Sequence, residues 1–219
     1  MSSKKKGMFI VFEGGDGAGK STQSARLAEW LAAQGYHVRT TFEPGDTELG
    51  AEVREIVLHS HLPISPRAET LLYAVDKAQH VAEVVKPALD AGMVVVCDRY
   101  VDSTIAYQGA GRALHLEEVS HIAWWAVADL VPDLTVLMDV PVKEGLERKE
   151  GQAEKLDRIE SAGLEFHERV RDYFLDLASS GPGRYLVVNS RDPKDEVTAQ
   201  IRTAVSSLIA QSGNQLAQN

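Results

Sequence analysis

Residues 14–21 read Gly14-Gly15-Asp16-Gly17-Ala18-Gly19-Lys20-Ser21, the spacing G-x-x-x-x-G-K-[ST], followed by Thr22. Glycines let backbone N–H groups close on an anion, and a helix opening at Lys20 would aim its positive end at the same charge. Lys20 is then placed to reach the outer phosphates of a nucleoside triphosphate, and Ser21 to offer its hydroxyl to Mg²⁺. A second acid suits this chemistry. Asp98 closes the apolar run Met93-Val94-Val95-Val96-Cys97, where a carboxylate would hold the metal directly or through water. These residues imply binding of ATP or GTP and leave the acceptor open.

Such a loop works only between a strand and a helix. Met8–Glu13 is apolar and fit for a buried strand, and Ala25, Leu27, Ala28, Leu31 and Ala32 recur at helical spacing up to a stop at Gly35. Further strands are expected at HVRTTFE, MVVVCD, LTVLMDV and RYLVVN. Helices are expected at GAEVREIVL, from Pro66 through Val85 with an interruption at Pro87 and an end near Gly92, around Leu116–Leu130, and after the last strand to about Ile209. Strands alternating with helices imply βαβ units and a parallel sheet with both faces covered. With no linker-like stretch, residues 1–219 are expected to form one domain ending in a polar tail, 211–219.

The 219 residues are 44% hydrophobic and 25% charged, which are globular values. Lys plus Arg number 23 against 32 Asp plus Glu, a formal charge of −9. That balance argues against a nucleic-acid coat but not against a small anionic ligand, which needs only local positive charge. One cysteine, Cys97, leaves no internal disulfide and reads as a small buried hydrophobe. No apolar run approaches the ~20 residues of a membrane span. Lys4, Lys5 and Lys6 read as a solvated tail, and a cytoplasmic protein is expected.

The strings FEGGDGAGKST, EPGDTELG, LLYAVDKAQH, DRYVDSTIAYQGAGR and LDRIE, in this order, closely resemble the bacterial thymidylate kinase family. The resemblance runs from about Phe9 to Asn189. It implies a three-layer α/β P-loop NTPase fold with a five-stranded parallel sheet flanked by helices and a short mobile LID. It also implies the reaction ATP + dTMP → ADP + dTDP, Mg²⁺ dependence and a homodimer. Carried over by position, Asp16 meets the sugar and phosphate region of dTMP, and Arg54 and Arg99 bind the acceptor phosphate. Tyr73 stacks on thymine, and Gln108 with Ser103 and Thr104 meets the thymine edge. Tyr107 lies beneath the deoxyribose, and Glu43 is the acid of an E-P-G turn. The LID corresponds to residues 145–160. With Gly17 rather than arginine in the P-loop, the LID must supply the cation that bridges the two phosphates. Arg148 and Arg158 are the candidates, with Lys149 and Lys155 in support.

Three positions depart from the family pattern. Phe42 stands for a phosphate-binding arginine, Asp46 for a glycine, and Lys77 for an arginine in the base-binding helix. Lysine keeps the charge but loses the bidentate fork. The alternative reading is a related nucleoside or nucleoside-monophosphate kinase with a shifted acceptor. A kinase of free nucleosides needs a carboxylate base at the 5′-hydroxyl, whereas Arg54, Lys77 and Arg99 are cations suited to a phosphate. A nucleotide-dependent switch would carry an N-K-x-D base reader, and Asn189-Ser190-Arg191-Asp192 lacks its lysine. Lys20, Arg54, Lys77, Arg99, Arg148 and Arg158 are expected to converge on one cleft.

Overall fold

The apolar runs become strands because each can bury both faces. In the computed structural model, which describes residues 7–151, 157–181 and 183–212, β1 (Met8–Glu13) is buried along its whole length. Met8, Ile10 and Phe12 point to one side of the sheet, Phe9 and Val11 to the other. The chain continues through α1 (Lys20–Ala33), β2 (Val38–Phe42), α2 (Glu48–Arg54), α3 (Pro66–His80), α4 (Lys86–Asp90), β3 (Val94–Asp98) and α5 (Val101–Thr104). It closes with α6 (Leu116–Ala126), β4 (Leu134–Asp139), α7 (Val142–Glu150), α8 (Leu164–Ser180), β5 (Tyr185–Asn189) and α9 (Lys194–Ser212). The sheet is parallel throughout, in the order β2-β3-β1-β4-β5. Leu27 and Leu31 of α1 and Ile201 and Val205 of α9 cover one face. Val81, Val85, Ile105 and Ala123 cover part of the other, which gives three layers.

The register decides where chemistry can happen. Phe12, Phe42 and Asp98 stand side by side, so β1, β2 and β3 end together. The chain leaves central β1 toward β2 on one side and later returns to β4 on the other. The loop after β1 therefore opens at the switch point, where crevices form outside the carboxyl ends of parallel strands.

The helices differ from expectation at Pro87. The helical path is not broken there. It widens into a π-helical turn at Val81–Val85, and Pro87 falls in the first turn of α4, where a missing N–H costs little. A further π-helical turn, Ile105–Gly111, carries Tyr107 and Gln108 directly on from α5. Lys4–Lys6, residues 152–156 of the LID with Lys155, and residues 213–219 of the polar tail lie outside the described residues. Among those described, no helix is long and apolar enough to cross a membrane.

Candidate active site

The phosphate cradle is built where β1 meets α1. Gly19 caps α1 in the left-handed conformation with no side-chain cap, leaving the first N–H groups of the helix for a ligand. Gly17 has φ +70, and a Cβ there would stand 2.0 Å from the carbonyl oxygen of Gly145 in α7. No arginine could occupy position 17 on this backbone, so a bridging cation has to come from elsewhere. Lys20 Nζ lies in the loop, donating to the carbonyls of Gly14 (3.0 Å) and Gly15 (2.8 Å). Burial, with the neighbouring Arg99 charge, lowers its pKa to about 8. Ser21 donates to Asp98 Oδ2 at 2.6 Å, so the two expected metal-holding oxygens do meet.

Arg99 follows β3 with φ +70, a left-handed backbone unusual for a residue bearing a Cβ. Its backbone N–H donates to Phe12 O (2.9 Å). Its guanidinium reaches Gly14 O (3.3 Å), Ser103 Oγ (3.2 Å), Tyr107 Oη (3.2 Å) and the Asp16 carboxylate. Tyr107 also donates to Asp16 Oδ2 at 2.9 Å. Burial alone would raise the Asp16 pKa, but Arg99, Lys20 and the Tyr107 hydrogen bond hold it below the usual range. Behind this stands Glu13, a residue missed in the sequence. It accepts from the N–H groups of Tyr100 (2.8 Å) and Ser103 (3.1 Å) and from Ser103 Oγ, pinning the unusual turn to the end of β1. Burial and the nearby Asp102 push its pKa to about 7. Its only local signal was an acid ending an apolar strand.

Glu43 and Lys77 form a buried ion pair, and His80 Nδ1 lies 2.7 Å from the other Glu43 oxygen. Lys77 Nζ is thus committed to a carboxylate, although the residue still lines the cleft. Burial alone would raise the Glu43 pKa, yet Lys77 and His80 hold it low. The departures at 42 and 46 are locally paired. Asp46 binds Arg39 (2.7 Å) and Thr41, while the Phe42 ring lies 5.8 Å from the Arg54 guanidinium carbon. Arg54 donates to Pro44 O at 2.7 Å.

Tyr73, Ser103, Thr104, Tyr107 and Gln108 all line the same cleft. Thr104 Oγ1 is buried without a hydrogen-bond partner, a position that invites a ligand atom. Arg148 of α7 reaches the P-loop, with Gly17 O at 3.5 Å and Ser190 O at 3.3 Å. Arg158 does not line the cleft. Its guanidinium donates to Val57 O (2.9 Å) and faces Glu69 at 2.6 Å. Lys149 pairs with Glu160 (2.8 Å). Five of the six expected cations therefore converge, and Arg158 stands aside.

The cleft holds about 1110 Å³, more than the ~300–1,000 Å³ of a single small-ligand pocket, so two nucleotides have room. Eight basic and six acidic side chains line it, a positive excess in a chain of charge −9. Arg99, Lys77, Arg39 and Lys149 are already paired with carboxylates. Lys20, Arg54, Arg148 and Lys194 have no carboxylate within ion-pair distance among the described residues.

A parallel sheet with a P-loop at its switch point, an acid on the neighbouring strand and a second cation set facing the loop defines a P-loop nucleotide kinase. Comparison narrows the class. The family model described as thymidylate kinase matches residues 12–201. The thymidylate kinase of Cutibacterium acnes is 57% identical over 93% of this chain and 98% of its own length. That of Clavibacter michiganensis subsp. michiganensis is 53% identical over 93% and 97%. The crystal structure of thymidylate kinase from Ehrlichia chaffeensis superposes with a TM-score of 0.75 at 30% identity, covering 91% of this chain and 99% of that one. The chain belongs to the thymidylate kinase family.

Proposed function

We propose that the protein transfers the γ-phosphoryl group of ATP to dTMP, giving ADP and dTDP. The observation that carries this reading is one cleft holding the phosphate cradle and, facing it, Arg54, Arg99 and the partnerless Thr104 hydroxyl beside Gln108. An acceptor that is already a phosphate dianion needs no strong base. The work is to hold two anions in line against their repulsion, which cations and positioning accomplish. Lys20 and the N-terminus of α1 take the donor phosphates, while Arg99 and Arg54 take the acceptor phosphate by planar, multidentate contacts. Arg148, beside Gly17, is the cation that spans them. Asp16 and Tyr107 meet the sugar, Tyr73 the base face, and Gln108, Ser103 and Thr104 the base edge. Glu43 holds Lys77 at the same end.

Ser21 Oγ and Asp98 are hard oxygen donors 2.6 Å apart at the cradle, which suits Mg²⁺, an ion that takes few protein oxygens beside waters and phosphates. When bound, Mg²⁺ neutralises charge on the donor phosphates. The test is a coupled ADP-release screen across dTMP, dUMP, dCMP, dGMP, AMP and thymidine. Stimulation is expected with dTMP above all, and no stimulation by dTMP overturns the reading.

Lys20 gives this reading a pH signature. The charged ammonium predominates below about 8 in the free enzyme and is lost above it. With dTMP well below its own KM, so that free enzyme meets ATP, kcat/KM for ATP is therefore expected to fall as pH rises through about 8, with no such limb in Lys20→Arg. A wild-type profile flat to pH ~10 would contradict the assignment.

The working unit is proposed to be a homodimer acting in the cytoplasm. Leu71 and Val75, one turn apart on α3, and Trp125 on adjacent α6 are exposed, Trp125 by 75%. Sedimentation at twice the 23.9 kDa chain mass is expected, reverting to one mass in Leu71→Glu. A wild-type monomer sinks the dimer.

A further inference from the structure

Glu69 of α3 is 1% exposed, lies outside the cleft lining and belongs to none of the motifs above. One of its oxygens accepts from Gln108 Nε2 (3.0 Å) and Arg112 Nε (3.1 Å). The other accepts from an Arg112 terminal nitrogen (3.2 Å) and faces Arg158 at 2.6 Å. Burial alone would raise the Glu69 pKa, but the Arg112 and Gln108 hydrogen bonds and the Arg112 charge hold it below the usual carboxylate range.

An ionised carboxylate can only accept. The amide of Gln108 must therefore turn its NH₂ group toward Glu69, and its Oε1 is the atom left over. Gln108 lines the cleft, and among the described residues nothing donates to Oε1. One turn earlier, Thr104 Oγ1 is buried without a partner. The free edge of the site is thus an acceptor beside a hydroxyl.

We propose that Glu69 is a specificity-determining positioning residue, whose carboxylate locks the Gln108 amide so that the cleft accepts a base with a ring N–H and refuses one with a ring acceptor. Thymine and uracil carry a donor at N3; cytosine carries a lone pair there. A lone pair against Oε1 leaves two buried acceptors facing each other, which is costly. The inference rests on dTMP as acceptor and goes on to say how the base is chosen. Arg112 and Arg158 keep the carboxylate charged and in place, which also accounts for Arg158 lying outside the phosphate region.

The test compares kcat/KM for dTMP, dUMP and dCMP in wild type and Glu69→Gln. A glutamine at 69 can donate as well as accept, so Gln108 is freed to turn. The dTMP-to-dCMP ratio is expected to fall by about tenfold or more, carried by the KM values of the acceptors. The dTMP-to-dUMP ratio and the KM for ATP are expected to stay unchanged. A smaller fall in a folded variant, or an equal loss on all three acceptors, overturns the proposal. Wild-type protein unresponsive to dTMP overturns the kinase reading itself, whereas a selective wild type with an equally selective variant overturns only the role of Glu69. A second measurement needs no variant at 69. In ¹⁵N-labelled wild type, the Gln108 side-chain amide, assigned by its absence in Gln108→Leu, is expected to be protected from exchange with and without dTMP. Free exchange overturns the proposal.

Discussion

Arg99→Ala is expected to lower kcat/KM for dTMP by about 10³-fold, with a much smaller effect on the KM for ATP. Two losses add. In the proposed reaction the guanidinium holds the acceptor phosphate, so its removal weakens binding and leaves the charge of the transition state without a donor. It is also the partner of Asp16, whose side chain is only 9% exposed. Stripped of that partner, Asp16 keeps only the Tyr107 hydrogen bond and the more distant charge of Lys20 inside an anion site, and breaking a buried pair costs about 3–5 kcal/mol. Asp16 then repels the phosphate that Arg99 attracted. Arg99→Lys keeps the charge and should recover only part of the loss, since a single ammonium cannot serve Gly14 O, Ser103, Tyr107 and Asp16 together. Steady-state kinetics with each substrate varied in turn decides it. An Arg99→Ala enzyme with a near-normal KM and kcat for dTMP would remove Arg99 from the acceptor site.

Gly17→Ala is expected to cut kcat by about 10²-fold and to destabilise the fold by about 2–4 kcal/mol. One part of the stability loss is the left-handed backbone at φ +70, worth about 1–2 kcal/mol for a residue with a Cβ. The other is the collision of that Cβ with Gly145 O at 2.0 Å, a backbone atom that cannot rotate away. To relieve it, α7 must move off the P-loop and take Arg148 with it, so the catalytic and structural losses share a cause. Gly15→Ala is the control. A Cβ there meets nothing within 4 Å, and its unfolding free energy should stay within about 0.5 kcal/mol of wild type. Chemical denaturation of both variants reads the difference, and equal stability of the two would show that the approach of α7 is not tight.

The cradle and its carboxylate were legible in the sequence because their physics is local. Gly14 to Ser21 need only a strand before and a helix after, and Asp98 only the end of an apolar run. The parallel sheet was legible for a similar reason, since runs such as Val94–Cys97 can be buried on both faces only between layers of helices. The departures were also visible as letters. Phe42, Asp46 and Lys77 stood out against the family pattern, but their partners did not. Asp46 meets Arg39 across the turn after β2, and Lys77 on α3 meets Glu43 in that same turn.

Arg158 shows where reading by position ran out. Placed among the LID cations by its motif, it faces Glu69, which lies 89 positions earlier in the chain. Glu13 and Glu69 were overlooked because an acid carries no local mark of what it will accept from. Each became meaningful only when β1 met the segment after β3, or α3 met the π-helical turn carrying Gln108. The sequence by itself determined which groups carry chemistry suited to phosphate, a hard metal ion and a base edge, because side-chain chemistry and short spacing are properties of the chain. Only the tertiary structure decided which cations are already neutralised and which are left for ligands, because an ion pair depends on distances of a few ångströms between residues far apart in the chain. The net charge of −9 says nothing of that, whereas the pairing of Arg99 with Asp16, and the lack of an acid beside Arg54 among the described residues, sets the field the substrates meet.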